Sequence, residues 1–316
     1  MTLSNRNFDR LPDCEGTQPW SDKTMSKYYY NCVSKTPLSE DEGASFAEWM
    51  EDPNHPCRFA RHPEGFLVFL RPAEILTLDE YSEGDPYAVA ENLDKPFHKL
   101  RVDMTIDLLA QVIGGEPGLS ILDVACGEGH ITAAIHRAFP TAKIFAFDGS
   151  LSAIRSAIKY EGITFALANA YDLPYAPDCF DCIVCNNIWE HVPDPLRLLE
   201  KIARLLKPNG YLIISTPSRY RLENLLRVLV GKAVALGSRQ HVTEYSVGQV
   251  IEQLRYAGFE VEKTLGQLLW VDRLTFRSLI KRCMGCFLAW LLRLNRSHHI
   301  LGSTAFYLAK KRGLRH

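Results

Sequence analysis

The chain has 316 residues, of which 47% are apolar and 23% charged, an ordinary globular composition with length enough for one large domain or two modest ones. A formal net charge of -1 excludes nucleic-acid binding through a general basic field, leaving only a local patch to support it. Nine cysteines without the spacing of a small disulfide-framed domain, and no apolar leader in "MTLSNRNFDRLPDCEG", predict a reducing, cytoplasmic location.

Residues 1–85 are irregular in pattern, rich in Pro, Asp, Glu and aromatics, with a cluster at Tyr28, Tyr29 and Tyr30. Only "GFLVFLRP" (65–72) reads as a strand there, closed by Pro72. This segment is expected to be an N-terminal extension and a candidate substrate lid. From 86 the pattern becomes regular through 316. Residues 96–113 predict a helix with Leu100, Met104, Leu108 and Leu109 on one face, stopped at Gly114-Gly115.

Strands and helices then alternate. "LSILDVA" precedes a helix from His130 to Phe139, and "KIFAFD" precedes one from Ser150 to Tyr160. The strands "ITFALA" and "FDCIVCN" follow. Asp194 reads as an N-cap with Pro195 at the first helical position, opening a helix that runs to Leu206. Asn209-Gly210 turns the chain into "YLIIST"; a helix over 246–257, then "GFEVEKT" and "STAFYLAKK", complete the order. Such alternation implies βαβ units, a mainly parallel sheet and helices on both faces. A ligand is expected at the carboxyl ends of the strands, where strand order reverses.

The turn "LDVACGEGH" is the candidate ligand loop. Asp123 closes a strand, Gly127 and Gly129 occupy the turn, and a helix follows. A dinucleotide fingerprint would place a third glycine where Thr132 stands, and Glu128 inside the turn would repel a pyrophosphate. Asp148, about twenty residues beyond the turn at the end of the next strand, suits ribose hydroxyls. The combination favours a nucleoside cofactor without phosphates.

These residues carry a family resemblance. Residues 119–215 resemble the class I S-adenosylmethionine-dependent methyltransferases, in particular their ubiquinone-pathway-like, type 11 group. "LDVACGEGH" is similar to the family's first motif, with Ala125 for its first glycine, and "FAFDGS" to its ribose-binding strand end. "ANAYDLPYAPDCFDCIVCNNIWEHV" and "LRLLEKIARLLKPNGYLIISTP" resemble the fourth- and fifth-strand units, and "HVTEYSVGQVIEQLRYAGFEVEKT" the sixth. The resemblance implies a seven-stranded, Rossmann-like α/β sheet, mainly parallel, with the last strand antiparallel. It implies S-adenosyl-L-methionine as cofactor. Its methionine end would be held by Asp123 and the backbone around Ala125, Gly127 and Gly129, and its ribose by Asp148. Adenine would meet Asn169, where relatives carry Asp, and the backbone N–H of Ala170. Asn186 would accept from the methionine amino group through its carbonyl.

Transfer from a sulfonium demands mainly positioning, plus a base if the acceptor is a protonated hydroxyl. The candidates are His191, with Glu190 beside it, and His241 in the loop after the fifth strand. "NNIWEH" is similar to the E-x-x-E-H motif of ubiquinone-pathway O-methyltransferases and small-RNA 3′-end methyltransferases, whose carboxylates and histidines are associated with a divalent metal. Here Asn187 replaces the first acid, and no metal site is assigned. Trp189 and the cysteines at 179, 182 and 185 read as core, since 182 and 185 fall on opposite strand faces.

A stretch over 272–300 has helical apolar spacing and is expected to insert before the last strand; its helix 274–294 is a candidate for packing over the domain or for peripheral membrane contact. The apolar run from Cys283 to Leu292, closed by Arg282 and Arg293, is short of the ~20 residues that span a bilayer. The expected activity is methyl transfer to a hydroxyl oxygen of a phenolic, quinone-like or natural-product small molecule. The alternatives are N- or C-methylation, methylation of RNA near Arg219, Arg221 and Arg227 or of protein, and a non-catalytic cofactor-binding partner.

Overall fold

The computed structural model describes residues 22–31, 36–78, 96–114, 118–238, 240–267, 283, 287 and 302–313. Its first part holds α1 (Asp22–Tyr28), β1 (Tyr30–Asn31), β2 (Thr36–Pro37), β3 (Gly43–Ser45), α2 (Phe46–Glu51), β4 (Phe59–Arg61), β5 (Leu67–Val68) and α3 (Pro72–Leu78). The regular part follows with α4 (Pro96–Val112), β6 (Ser120–Val124), α5 (His130–Ala138), β7 (Lys143–Asp148), α6 (Leu151–Ala157), β8 (Ile163–Leu167) and β9 (Phe180–Asn186). It continues with α7 (Pro195–Leu205), β10 (Leu206–Pro217), α8 (Leu222–Leu229), α9 (Val247–Tyr256), β11 (Phe259–Gln267) and β12 (Thr304–Lys311).

β1 and β2 pair with each other as a small antiparallel sheet, and the other ten described strands form the main sheet in the order β11-β12-β10-β9-β6-β7-β8-β5-β4-β3. The central ladders β10·β9, β9·β6, β6·β7 and β7·β8 are all parallel. The last strand, β12, runs antiparallel to both β10 and β11. This is the expected Rossmann-like α/β sheet. After β6 the chain builds outward through β7 and β8, then returns to β6's other side with β9. The reversal at β6 is the switch point where ligands sit in such sheets.

The seven-strand expectation is corrected to a main sheet of ten strands among the described residues. The three additions come from the N-terminal part: β5 pairs parallel with β8, β4 antiparallel with β5, and β3 parallel with β4. Each is two or three residues long, too short to show a two-residue apolar period. "GFLVFLRP" ladders only at Leu67–Val68. Beyond it the Leu70 carbonyl accepts from the Trp49 indole at 2.8 Å, and Pro72 opens α3 instead of merely ending a strand.

The extension shares the core of the sheet. Tyr28 bonds Ser120 of β6 at 2.9 Å, and Tyr29 stacks on Phe69 and packs against Tyr175. Trp49, Phe66 and Val68 join Ile154 and Phe165 in one buried cluster. At its rim, Arg155 of α6 forms a two-pronged ion pair with Glu64.

The helices dock on apolar faces. Leu198, Leu199, Ile202 and Leu205 of α7 are buried, and Asp194 caps its start by accepting from the Arg197 N–H at 3.0 Å. Ser246 and Gln249 form a reciprocal cap on α9. In α4, Leu108 and Leu109 are buried as expected, but Leu100 is 40% exposed. The first turns of α4 face the ligand cavity through His98 and Arg101 instead.

Cys182 packs with Leu108, Ile121 and Ile213, whereas Cys179 and Cys185 pack in the cluster of Leu122 and Ile214 on the other side. Burial pushes the Cys179 thiol up to about 12 and raises those of Cys182 and Cys185 as well. They are packing groups. The expected insertion over 272–300, with helix 274–294, lies outside the described residues except for Cys283 and Phe287, both helical and exposed. No helix among the described residues is long and apolar enough to cross a membrane.

Candidate active site

The turn after β6 is built from left-handed backbone. Ala125, Gly127 and Gly129 have φ of 56°, 54° and 76°. Gly127 and Gly129 adopt this freely, whereas Ala125 carries a steric cost of about 1–2 kcal/mol. A Cβ on Gly129 would lie 3.0 Å from that of Ala157 and 3.3 Å from the Phe165 and Tyr160 rings. Gly129 therefore serves packing and the start of α5, and it does not line the ligand cavity.

Two acids frame the turn. Asp148, at the end of β7, accepts from the Gly127 N–H at 2.8 Å and from the Ser150 N–H at 2.9 Å. Asp123 is buried and accepts from the Thr132 hydroxyl at 2.6 Å. Burial pushes the Asp123 carboxyl up to about 7; the Thr132 hydrogen bond opposes this and the nearby Asp148 charge adds to it. The missing third glycine thus has a positive counterpart, because Thr132 holds the motif's acid.

The turn opens into a cavity of about 520 Å³. Asp123, Ala125, Gly127 and Asp148 line one part, Asn169 and Ala170 another, and Asn186 and His191 a third. Glu190 and His241 stand behind that last part and do not line it. The Asn169 side-chain carbonyl accepts from the Tyr171 N–H at 2.9 Å, which fixes its loop.

Asn186 lines the cavity at the end of β9. Its carbonyl already accepts from the Ser215 hydroxyl at 2.7 Å, while its buried amide nitrogen has no partner among the described residues. A buried unpaired donor is costly, so the amide N–H is a group that a ligand in the cavity could satisfy.

Several lining residues carried no motif. His98 and Arg101 come from α4, and Leu78 comes from α3, against Gly149. Arg101 donates to the Asn187 side chain at 2.9 Å and meets His98 Nδ1 at 2.6 Å. The only signal of His98 and Arg101 in the sequence was position on a helix before the first core strand, and Leu78 had none.

Beyond Asn186 lies a polar cluster. Asn187, at φ 54°, donates its amide to Glu190 Oε1 at 2.9 Å, and the Thr216 hydroxyl donates to Oε2 at 3.1 Å. Glu190 is fully buried, which raises its pKa. Its backbone carbonyl accepts from Val242 and Thr243, drawing the loop after β10 against the site. The rings of His191 and His241 meet edge to face at 5.1 Å. His241 Nδ1 bonds Glu244 at 2.9 Å. Trp189 is buried and donates to Gln253, as a core residue would.

Glu190, His191 and His241 each bring one donor atom within 4.8 Å of the others, so together they could offer three ligands to a cation. The structure does not fit the four-ligand set of the E-x-x-E-H motif. Asn187 presents N–H to Glu190 instead of a second carboxylate, so one charged oxygen ligand of that set is missing. The arginines weighed for RNA are engaged: Arg221 pairs with Glu244, Arg219 donates to the Glu244 carbonyl at 3.4 Å, and Arg227 donates to the Ala233 carbonyl at 2.9 Å.

The sheet order and the phosphate-free ligand turn define a nucleoside-cofactor enzyme of the α/β class. Residues 116–258 match a family model described as a methyltransferase domain. A ubiquinone biosynthesis O-methyltransferase of Alkalilimnicola ehrlichii is 33% identical over 145 residues, 43% of this chain and 56% of that one. One from Xylella fastidiosa is 30% identical over 186 residues, 54% of this chain and 72% of that one. In fold, a chain of a Haloferax volcanii complex between a methyltransferase activator and a methyltransferase matches with a TM-score of 0.53 at 20% identity, covering 74% of this chain and 99% of that one. The chain belongs to the S-adenosylmethionine-dependent methyltransferase family, and S-adenosylmethionine is its cofactor. The left-handed cradle at Gly127 and the unpaired Asn186 N–H fit that cofactor's backbone-hugging, carboxylate-bearing end.

Proposed function

We propose that the enzyme methylates a hydroxyl oxygen of a small phenolic or quinone-like acceptor, with His191 as the base and His241 and Glu190 behind it. The observation that carries this reading is the convergence of these three residues beside Asn186, at the carboxyl end of β9. The names of the O-methyltransferase relatives support it, as does the pairing of Arg221 with Glu244, which takes one of the three arginines weighed for RNA out of any basic patch there.

In this reading Asp148 receives the ribose, since a carboxylate accepts more hydrogen bonds than the two from Gly127 and Ser150. Asn169 and Ala170 meet the adenine. The Asn186 N–H binds the methionine carboxylate, and Asp123 attracts the cationic end. When bound, the cofactor supplies a methyl group already activated on a sulfonium. The protein's remaining tasks are to align the acceptor oxygen and remove its proton. His191 lines the cavity and takes that proton, leaving the electron pair on oxygen. Glu190 is held by Asn187 and Thr216, and its carbonyl anchors the loop that carries His241.

The deciding experiment is transfer of labelled methyl from S-adenosylmethionine to a panel of phenols, amines, lipids and RNA. Labelling confined to hydroxyl acceptors, lost in His191→Ala while cofactor binding persists, is the expected result. Equal turnover by His191→Ala, or labelling of amines alone, rejects it.

A further inference from the structure

The loop after β10 contains a buried carboxylate with no part in the reaction as described so far. The Glu244 side chain is fully enclosed. Three donors converge on it: the Arg221 guanidinium, the Gly237 N–H at 2.5 Å and the His241 ring at Nδ1, 2.9 Å away. Arg221 is itself mostly buried and is further tied to the carbonyls of Ser218 and Ala235 at 3.2 and 2.5 Å. Burial alone would push the Glu244 carboxyl up, but the hydrogen bonds from His241, Gly237 and Arg221 outweigh it and hold the group below the usual range.

Burying an ion pair to secure a loop is an inefficient solution, since apolar residues of similar volume stabilise as well or better. What a carboxylate provides and apolar packing cannot is control of an imidazole proton. Facing the Glu244 carboxylate, Nδ1 carries the hydrogen, so in the neutral ring the lone pair is on Nε2. The ring so fixed stands edge to face with His191. One atom each from His241, His191 and Glu190 lies within 4.8 Å of the others.

We propose that Glu244 is a positioning residue: with Arg221 holding it, it locks His241 as the Nδ1–H tautomer and sets Nε2 as the basic atom supporting His191. The proposal rests on the reading of His191 and His241 as the base pair of a hydroxyl methyltransferase. The proton leaves the acceptor oxygen for an imidazole nitrogen, one O–H bond breaking as one N–H bond forms.

The test combines imidazole ¹⁵N spectra of histidine-labelled protein with steady-state kinetics. The wild type should show His241 as Nδ1–H. Glu244→Ala should shift it toward Nε2–H and lower kcat about 100-fold, the lower range for loss of a general base, with KM and cofactor Kd within about twofold. Glu244→Gln, which keeps an oxygen facing Nδ1, should retain the tautomer and recover most of kcat. Should Glu244→Ala fail to fold with Arg221 left unpaired, the double variant Arg221→Met with Glu244→Leu removes both charges and should show the same shift and loss. An unmoved tautomer, or an unchanged kcat, overturns the role of Glu244. A wild type that methylates no hydroxyl while its tautomer responds as described overturns the acceptor reading alone.

Discussion

Asp148 and Gly127 are joined across the mouth of the cofactor turn, the Gly127 N–H donating to Asp148 Oδ2 at 2.8 Å. The acid expected to receive the ribose therefore also shapes the loop expected to hold the methionine end. Asp148→Ala should weaken cofactor binding by about 2–3 kcal/mol, the scale of hydrogen bonds to a charged group. Asp148→Asn, which keeps one acceptor, should lose less. Calorimetry with S-adenosylmethionine measures both, and wild-type affinity in the alanine variant refutes the assignment.

Ala125 is the second test of the turn. Its φ of 56° costs about 1–2 kcal/mol relative to glycine, offset by the 0.4–1 kcal/mol that a glycine loses through its freer unfolded chain. Ala125→Gly should stabilise the fold by about 0.5–1 kcal/mol in urea titrations. A lower midpoint would mean that the Ala125 methyl makes a contact worth more than its strain.

Burial pushes Asp123 up to about 7, well above an ordinary aspartate. A raised folded-state pKa favours the neutral acid. Its stabilisation of the cofactor-free protein is complete below the unfolded value, near 4, and is lost as pH rises toward 7. The slope contributed by this group is at most about 1.4 kcal/mol per pH unit. Cofactor affinity should run the opposite way, tightening from pH 6 to 8 as the carboxylate forms and meets a cationic ligand. Asp123→Asn should flatten both dependences; urea midpoints and calorimetry at pH 5, 6, 7 and 8 read them out.

Turnover should be insensitive to a chelator. Asn187 presents N–H where the related motif has a carboxylate, which leaves a single carboxylate for a hard cation. Activity lost on dialysis against chelator and restored by one divalent cation would show instead that Glu190, His191 and His241 bind it.

The regular half of the fold was legible because its elements are long enough to display a period. Strands β6 to β10, the caps at Asp194 and Ser246, and the acid at Asp148 all stand where pattern placed them. What pattern could not show was contributed by short or distant elements. The strands β3, β4 and β5 have too few residues for a period. α8 went unread within the long stretch after β10, where Asn224 alone of its residues is buried. Arg101, His98 and Leu78 reach the cavity only through tertiary folding, and Glu244 is an acid in a loop until Arg221 and His241 are seen around it.

The pairing of β5 with β8 has a consequence for how the chain is made. Leu67 lies beside Ala166, and Val68 beside Leu167. At ~5–20 residues per second of synthesis, a gap of about a hundred residues keeps the N-terminal strands waiting roughly 5–20 s for their partner. Through that interval Phe59, Phe66, Leu67 and Val68, all buried at the end, have no sheet to cover them. This early segment docks only once β8 has been made, so a nascent chain stalled before β8 would present a sticky apolar surface to chaperones and proteases.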